Sequence, residues 1–285
     1  MVQASVRVKK KGANDIAKAK HHAKATRAIE AASRACAGDM TDLQLHSAIS
    51  AARAVQLPKE RMEKAIERGA NPQLKAEGEE YVVRRYDGMV PTGASGKVAV
   101  IVETLTENRN RTAGNVRHML TKTGGELLPT GANEWLFEHV GLIWVSNHKS
   151  ADDSIGDGID VDVDPSVKGA EVDMDALLEC ALEGGATDVE FGIEESDNSA
   201  AGDDDETGNH ALIKCETNDM LHLVQALKAD GYVTTQFENQ WLVKDEGNTN
   251  LLDKESAEKF EKFLSSMDDD LDVTNVFHNA SFVDE

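Results

Sequence analysis

The sequence predicts an α+β chain of more than one domain, and three observations carry that prediction. Residues 1–70 show helix signals and no strand signal. From residue 79 onward, β-branched runs alternate with amphipathic segments, and 140–238 fall in the order β-α-β-β-α-β of a ferredoxin-like module. The length of 285 residues exceeds what one hydrophobic core usually serves. The expected architecture is an N-terminal helical bundle followed by two α+β domains.

The helical part is read first. Arg7 to Arg27 is dense in Lys, Arg and His, with Asp15 its only acid. Ile16 to Ala37 is alanine-rich and favours helix, with Ile29 its one large aliphatic residue beyond Ile16 itself. Asp39 to Val55 sets Leu43, Leu45, Ile49 and Val55 on a second helix, capped from Asp39 or Thr41 and broken by Leu57-Pro58. Lys59 to Arg68 is a third, with Met62, Ala65 and Ile66 on one face and Gly69 as its stop. Three short helices make a small bundle with a weak core.

The central stretch organises the rest. After a strand from Glu79 to Arg85, Val98 to Val102 form a continuous apolar, largely β-branched run, suited to a strand covered on both faces. Thr106 and Asn108 offer oxygens to cap a helix start. Ala113, Val116 and Leu120 make that helix's apolar stripe, while Asn110, Arg111, Asn115, Arg117, His118 and Lys122 lie mostly on its other faces. Gly124 and Gly125 supply a left-handed stop, and Glu134 to Glu138 reads as a return strand.

The second α+β part follows. Gly141 to Val145, Thr187 to Ile193, Ala211 to Cys215 and Tyr232 to Phe237 are its strands. Met174 to Glu183 and Asn218 to Ala229, the latter capped by Asn218, are its helices. Ser146 to Asp173 and Glu194 to Asn209 are acidic loops. In the first loop Asp160, Asp162, Asp164 and Glu171 match calcium-loop spacing, but Pro165 stands where the turn needs glycine, so a solvated loop is the reading. Asn239 to Val243, Lys254 to Ser266 and Thr274 to Phe282 add strand, helix and strand.

The net charge of −22 conceals a gradient. Residues 1–70 hold 14 Lys+Arg against 7 Asp+Glu, a balance of +7; 71–150 hold 9 and 9; 151–285 hold 7 and 36, a balance of −29. A basic end that meets polyanion and an acidic end that does not is the implied division. Cys36, Cys180 and Cys215 are odd in number and widely spaced, which suits buried thiols in a reducing compartment. No run approaches the ~20 apolar residues that span a bilayer.

Catalysis is not expected. His118, His139, His148 and His278 are each isolated in sequence, and no serine sits in an elbow motif. TKTGGELLPTG follows a helix rather than opening one and lacks a P-loop's Gly-Lys-Ser/Thr, so it reads as a cap and turn. No cofactor, metal site or catalytic residue is predicted. The cationic groups instead suggest RNA contact, because a guanidinium fork fits phosphate and stacks on exposed bases. The candidates on the first helix are Lys9, Lys10, Lys11, Lys18, Lys20, His21, His22, Lys24 and Arg27, where few acids lie nearby in sequence. The central candidates are Asn108, Arg109, Asn110, Arg111, Arg117, His118 and Lys122.

TENRNRTAGNVRHMLTKTGGELLPTGANEWLFEHVGLI resembles the YebC family, which includes the mitochondrial translational activator of cytochrome c oxidase subunit I. The shared features are Asn108 to Thr112, Arg117, Lys122 to Gly125, Thr130-Gly131, and Trp135 with Phe137. DVTNVFHNA, Asp272 to Ala280, resembles the family's last strand, and LPKERMEKAIERGA its third helix. The chain departs from the family at VPTGASGK and at Leu128-Pro129, where tighter glycine turns are usual. The resemblance implies a basic helical domain at 1–78, an α+β domain from 79–139 and 239–285, and a ferredoxin-like domain, 140–238, inserted in it. It also makes the basic start part of the family's first domain rather than a presequence.

The function implied is a ribosome- or rRNA-associated translation factor that activates or assists protein synthesis, from organellar mRNAs or through proline-rich stretches. Ribosome or rRNA is the expected partner, with mRNA in addition and no membrane. A DNA-binding transcriptional regulator is the alternative, and a protein-binding scaffold a third reading. The diverged first helix and acidic insertions point to a mitochondrial member, with plastid and bacterial cytoplasm as alternatives.

Overall fold

The computed structural model describes residues 2–40, 42–71, 81–92, 96–149, 172–193 and 210–282. It contains seven α-helices and three sheets among those residues, an α+β chain in two compact units. The first unit comprises Met1–Gly38, Val55–Glu138 and Trp241–Glu285, the second Asp39–Ala54 and His139–Gln240.

In the first unit α1 (Val2–Ala35) and α3 (Lys59–Ala70) pack directly together. Gly69 is the reason they come so close. A Cβ there would lie 2.6 Å from Ser33 Cβ and 2.7 Å from the Glu30 carbonyl oxygen. The expected stop at Gly69 is therefore corrected: it is an interior residue, required by a helix crossing rather than by a cap. Ser33 Oγ donates to the Ile66 carbonyl (2.7 Å), and Arg68 pairs with Glu30 at 3.2 Å.

The sheet of this unit runs β3-β1-β2-β9, antiparallel throughout. Its strands are β1 (Val82–Pro91), β2 (Lys97–Thr106), β3 (Glu126–Leu128) and β9 (Val273–His278). β2 is covered on both faces, as its apolar run requires. Val98, Val100 and Val102 meet Val116 and Leu120 of α4 (Arg109–Lys122) and Phe260, Phe263 and Met267 of α7 (Lys254–Asp268). Ala99 and Ile101 meet Leu136, Phe137 and Trp241 on the other side. The C-terminal strand β9 thus completes the sheet begun at residue 82. β8 (Asn250–Leu252) and β10 (Ala280–Phe282) form a separate parallel pair.

The second unit holds the sheet β5-β6-β4-β7, built from β4 (Phe137–Lys149), β5 (Ala186–Ile193), β6 (His210–Glu216) and β7 (Tyr232–Val243). Counted within the module, and read from β7, this is the 4-1-3-2 order of a ferredoxin-like sheet. α5 (Met174–Glu183) and α6 (Met220–Ala229) pack on it through Leu177, Ala181, Leu223, Val224 and Leu227 against Ile143, Val145 and Ile213. α2 (Leu43–Ala54) groups with this unit, and its Ser47 Oγ donates to the Phe237 carbonyl.

Local expectations differ in several places: the first strand runs Val82–Pro91, not from Glu79 to Arg85, and Thr274 to Phe282 is two strands, β9 and β10, in different sheets. Asp42, not Asp39, caps α2, its Oδ1 accepting from the N–H groups of Gln44 and Leu45. The return strand is β3, while Glu134 to Leu136 are turn, because the Asn133 carbonyl takes the N–H groups of Leu136 and Phe137. Gly141–Val145 and Asn239–Val243 are parts of the longer β4 and β7. α6 starts after Asp219, without a side-chain cap from Asn218. The calcium-like spacing and both acidic loops lie almost wholly outside the described residues.

Candidate nucleic-acid interface

The sequence around residue 108 builds a helix start with its own wiring. Asn108 Oδ1 accepts from the Arg111 N–H (3.1 Å), and Thr106 Oγ1 accepts from the Asn108 N–H (3.0 Å). Asn108 is thus a capping residue, occupied within the helix end. Thr112 Oγ1 donates onward to Asp272 Oδ2 at 2.8 Å.

Asp272 is a central residue that sequence reasoning missed. Its side chain is 4% exposed. Arg27 from α1 reaches Oδ1 at 2.9 Å, and Arg111 from α4 reaches Oδ2 at 2.7 Å. Thr106 Oγ1 also contacts Oδ2, at 3.3 Å. Burial, the largest single influence, pushes its pKa up, but the hydrogen bonds and charges of Arg111, Thr112 and Arg27 together hold the carboxyl below its usual value. One carboxylate therefore ties α1, the end of β2, and α4 to the start of β9.

Around it the acidic turn takes up other cations. Lys20 pairs with Asp269 at 2.5 Å and Lys24 with Asp268 at 2.6 Å, and Lys24 Nζ also donates to the Asp268 carbonyl. Asn115 Nδ2 donates to Asp270 Oδ2 at 3.0 Å. The expectation that few acids neutralise the first helix is corrected here. The acids come from the opposite end of the chain, a long-range pairing that reading along the sequence cannot show. The available signal was the run Asp268-Asp269-Asp270 at a helix C-terminus, where the helix dipole disfavours acid.

The candidate cations fall into classes. Arg27 and Arg111 are structural partners of Asp272; Lys20, partly exposed, and Lys24, only 13% exposed, are paired with the exposed Asp269 and Asp268. Lys18 donates to Gln56 Oε1, His22 meets the Val55 carbonyl, and His21 is exposed. The side chains of Lys9, Lys10 and Lys11 lie outside the described part of α1. On α4, Asn110, Arg117, His118 and Lys122 project from the sides that Thr112, Val116 and Leu120 leave to solvent, and all four are exposed; Arg109, also exposed, stands at the helix start in line with Thr112, Val116 and Leu120. Among the described residues, Arg109, Arg117 and Lys122 have no carboxylate partner. Val116 and Leu120 fix the helix to the sheet, so its exposed cations are rigidly mounted.

The glycine loop that follows is structural in its geometry. Gly124 has φ +80°, and the Gly125 N–H donates to the Leu120 carbonyl at 2.9 Å. A second cluster lies on the other face of the sheet. Buried Asp87 accepts from Arg85 (2.7 Å) and from the Asn133 N–H (3.1 Å). The Arg85 guanidinium stacks 4.1 Å over the Trp241 ring, and Trp241 Nε1 donates to Glu103. These interactions hold the 129–136 turn to the sheet. They are internal ties rather than a binding surface. Among the described residues no helix is long and apolar enough to cross a membrane.

Comparison with known proteins agrees with this architecture. Residues 3–72 match the domain family described as "TACO1/YebC protein N-terminal domain", and residues 80–280 match "TACO1/YebC second and third domain". A protein of Thermoanaerobacter pseudethanolicus named "Probable transcriptional regulatory protein" is 32% identical over 277 residues, covering 97% of this chain and 94% of its own. A protein of the same name from Caldanaerobacter subterraneus is also 32% identical over 277 residues, covering 97% of this chain and 95% of its own. The crystal structure of a conserved hypothetical protein of Aquifex aeolicus superposes with a TM-score of 0.63 at 29% identity, covering 94% of this chain and 91% of that one. With the same domains matched in the same order across nearly its whole length, the chain belongs to the TACO1/YebC family.

Proposed function

We propose that the protein is a translation factor that binds ribosomal RNA through the exposed face of α4, helped by α1. The observation that carries the reading is the set Arg109, Arg117 and Lys122, exposed on a rigidly packed helix with no carboxylate partner among the described residues. Cations held in a fixed array and not neutralised internally suit a phosphate backbone. The charge balance of −29 over 151–285 repels a long duplex, which favours a local site on a folded RNA surface. No catalytic step is assigned; the protein acts by binding.

Arg109→Gln, Arg117→Gln and Lys122→Gln together test it. All three are exposed, so the fold should change by within about 0.5 kcal/mol per site. The wild type should co-sediment with ribosomes and be removed by salt, and the variant's salt dependence should flatten by roughly one unit for each phosphate no longer bound. Ribosome binding equal to wild type at every salt concentration would count decisively against the α4 face.

Duplex DNA is the second reading, favoured by the regulatory names of the two bacterial relatives. Saturable binding to duplex DNA at physiological salt, with no ribosome association, selects it. Those relatives are bacterial, which favours a bacterial-type cytoplasmic setting over the mitochondrial one.

A further inference from the structure

The three acids at the end of α7 stand where a helix least favours them. Its terminal carbonyls present partial negative charge, and its last turn carries no Lys or Arg. The groups that compensate Asp268 and Asp269 are Lys24 and Lys20, from a helix at the other end of the chain. The pairings differ in kind. Asp272, almost fully buried and held by two arginines and two threonines, is fixed. Asp268 and Asp269 are 60% and 66% exposed, against 13% and 34% for their partners Lys24 and Lys20, so the carboxylate side of each pair is open to solvent and to screening by salt. The same turn also engages α4, through Asn115 on Asp270 and Arg111 on Asp272.

We propose that the turn 268–272 is a built-in polyanion mimic. Asp272 anchors it, while Asp268 and Asp269 occupy the phosphate-binding positions of Lys20 and Lys24 until RNA displaces them. The inference rests on the proposed RNA contact of α1 and adds its regulation. A phosphate oxygen has the charge and acceptor character of the carboxylate it replaces, so it can take that carboxylate's place on Lys20 Nζ, and on Lys24 Nζ beside the Asp268 carbonyl that Lys24 also holds. Random RNA must compete against a tethered carboxylate pair. An RNA surface that also engages Arg109, Arg117 and Lys122 has additional contacts to offset that competition. The latch thus trades affinity for selectivity.

The test uses the full chain with Asp268→Asn and Asp269→Asn, and fluorescence anisotropy of a short labelled oligouridine. The variant should bind several-fold more tightly at low salt, and its log-affinity slope against log salt should steepen by about 1.4 for two freed cations on a single strand. Adding Lys20→Gln and Lys24→Gln should abolish the gain. Glu258→Gln with Glu261→Gln, an equal charge change at exposed positions of α7, should not reproduce it. Equal affinity and slope in wild type and Asn variant overturn the latch, as does a gain that survives the lysine substitutions or appears with the glutamine pair. Those outcomes, with salt-sensitive ribosome co-sedimentation intact, leave the proposed function standing. Failure of every variant to bind RNA or ribosomes overturns both.

Discussion

Asp272→Ala should destabilise the first unit by about 2–4 kcal/mol, the largest single-residue effect expected outside the apolar core. The substitution removes the acceptor of Thr106, leaves Thr112 only its bonds to Thr106 Oγ1 and the Asn108 carbonyl, and strands two guanidinium groups that converge on it. The value is set below that of a fully buried pair, because Arg27 and Arg111 are 27% and 51% exposed and water can partly replace the carboxylate. Denaturant unfolding monitored by circular dichroism measures the loss. Asp272→Asn should cost less and separate charge from shape.

The pH dependence follows in sign. The folded carboxyl has a pKa below its ordinary value. Its stabilisation is complete above the unfolded value, about 3.9, and is lost as pH falls through the lower folded value. The Asn variant should therefore show a shallower loss of stability below about pH 4 than the wild type does. Parallel acid limbs for the two proteins would mean that Asp272 is not ionised against its arginines.

Gly125→Ala should be nearly as damaging, at about 2–4 kcal/mol, whereas Gly124→Ala should cost only about 1–2 kcal/mol. A Cβ on Gly125 would lie 2.4 Å from the Met89 carbonyl oxygen and 3.2 Å from that of Leu120, both backbone atoms that no rotamer change can move. Met89 pairs with Glu126, so relief of the clash pushes β3 off β1 and strains the Gly125–Leu120 cap. Gly124 meets nothing nearer than Pro91 Cγ at 3.5 Å, and only its positive φ resists a side chain. Thermal unfolding of the two variants should rank them in that order. A stable Gly125→Ala protein that no longer binds ribosomes would instead make the glycine pair a contact surface.

Much of this protein was legible from residues alone, wherever the physics is local. The run Val98 to Val102 determined a strand covered on both faces, because no polar residue in it offers a solvent side. Thr106 and Asn108 marked the start of α4, and the Gly124-Gly125 pair its end, since caps act within a few bonds of the groups they satisfy. The ferredoxin-like order of strands and helices followed from alternating periodicities. Turn and cap details, such as Asp42 in place of Asp39, differed by the few residues over which competing oxygens are equivalent in sequence.

Tertiary structure alone decided what the charged residues do. Arg109 and Arg111 are two positions apart and indistinguishable by composition, yet one is exposed without a carboxylate partner among the described residues and the other is bound to Asp272. Lys20, Lys24 and Arg27 looked unneutralised because their acids lie more than two hundred residues away. Gly69 looked like a stop until α1 was seen to cross over it. The physical reason is common to all three. Hydrophobic period and capping are properties of a short segment, whereas ion pairing and close approach depend on which segments the fold brings within a few ångströms.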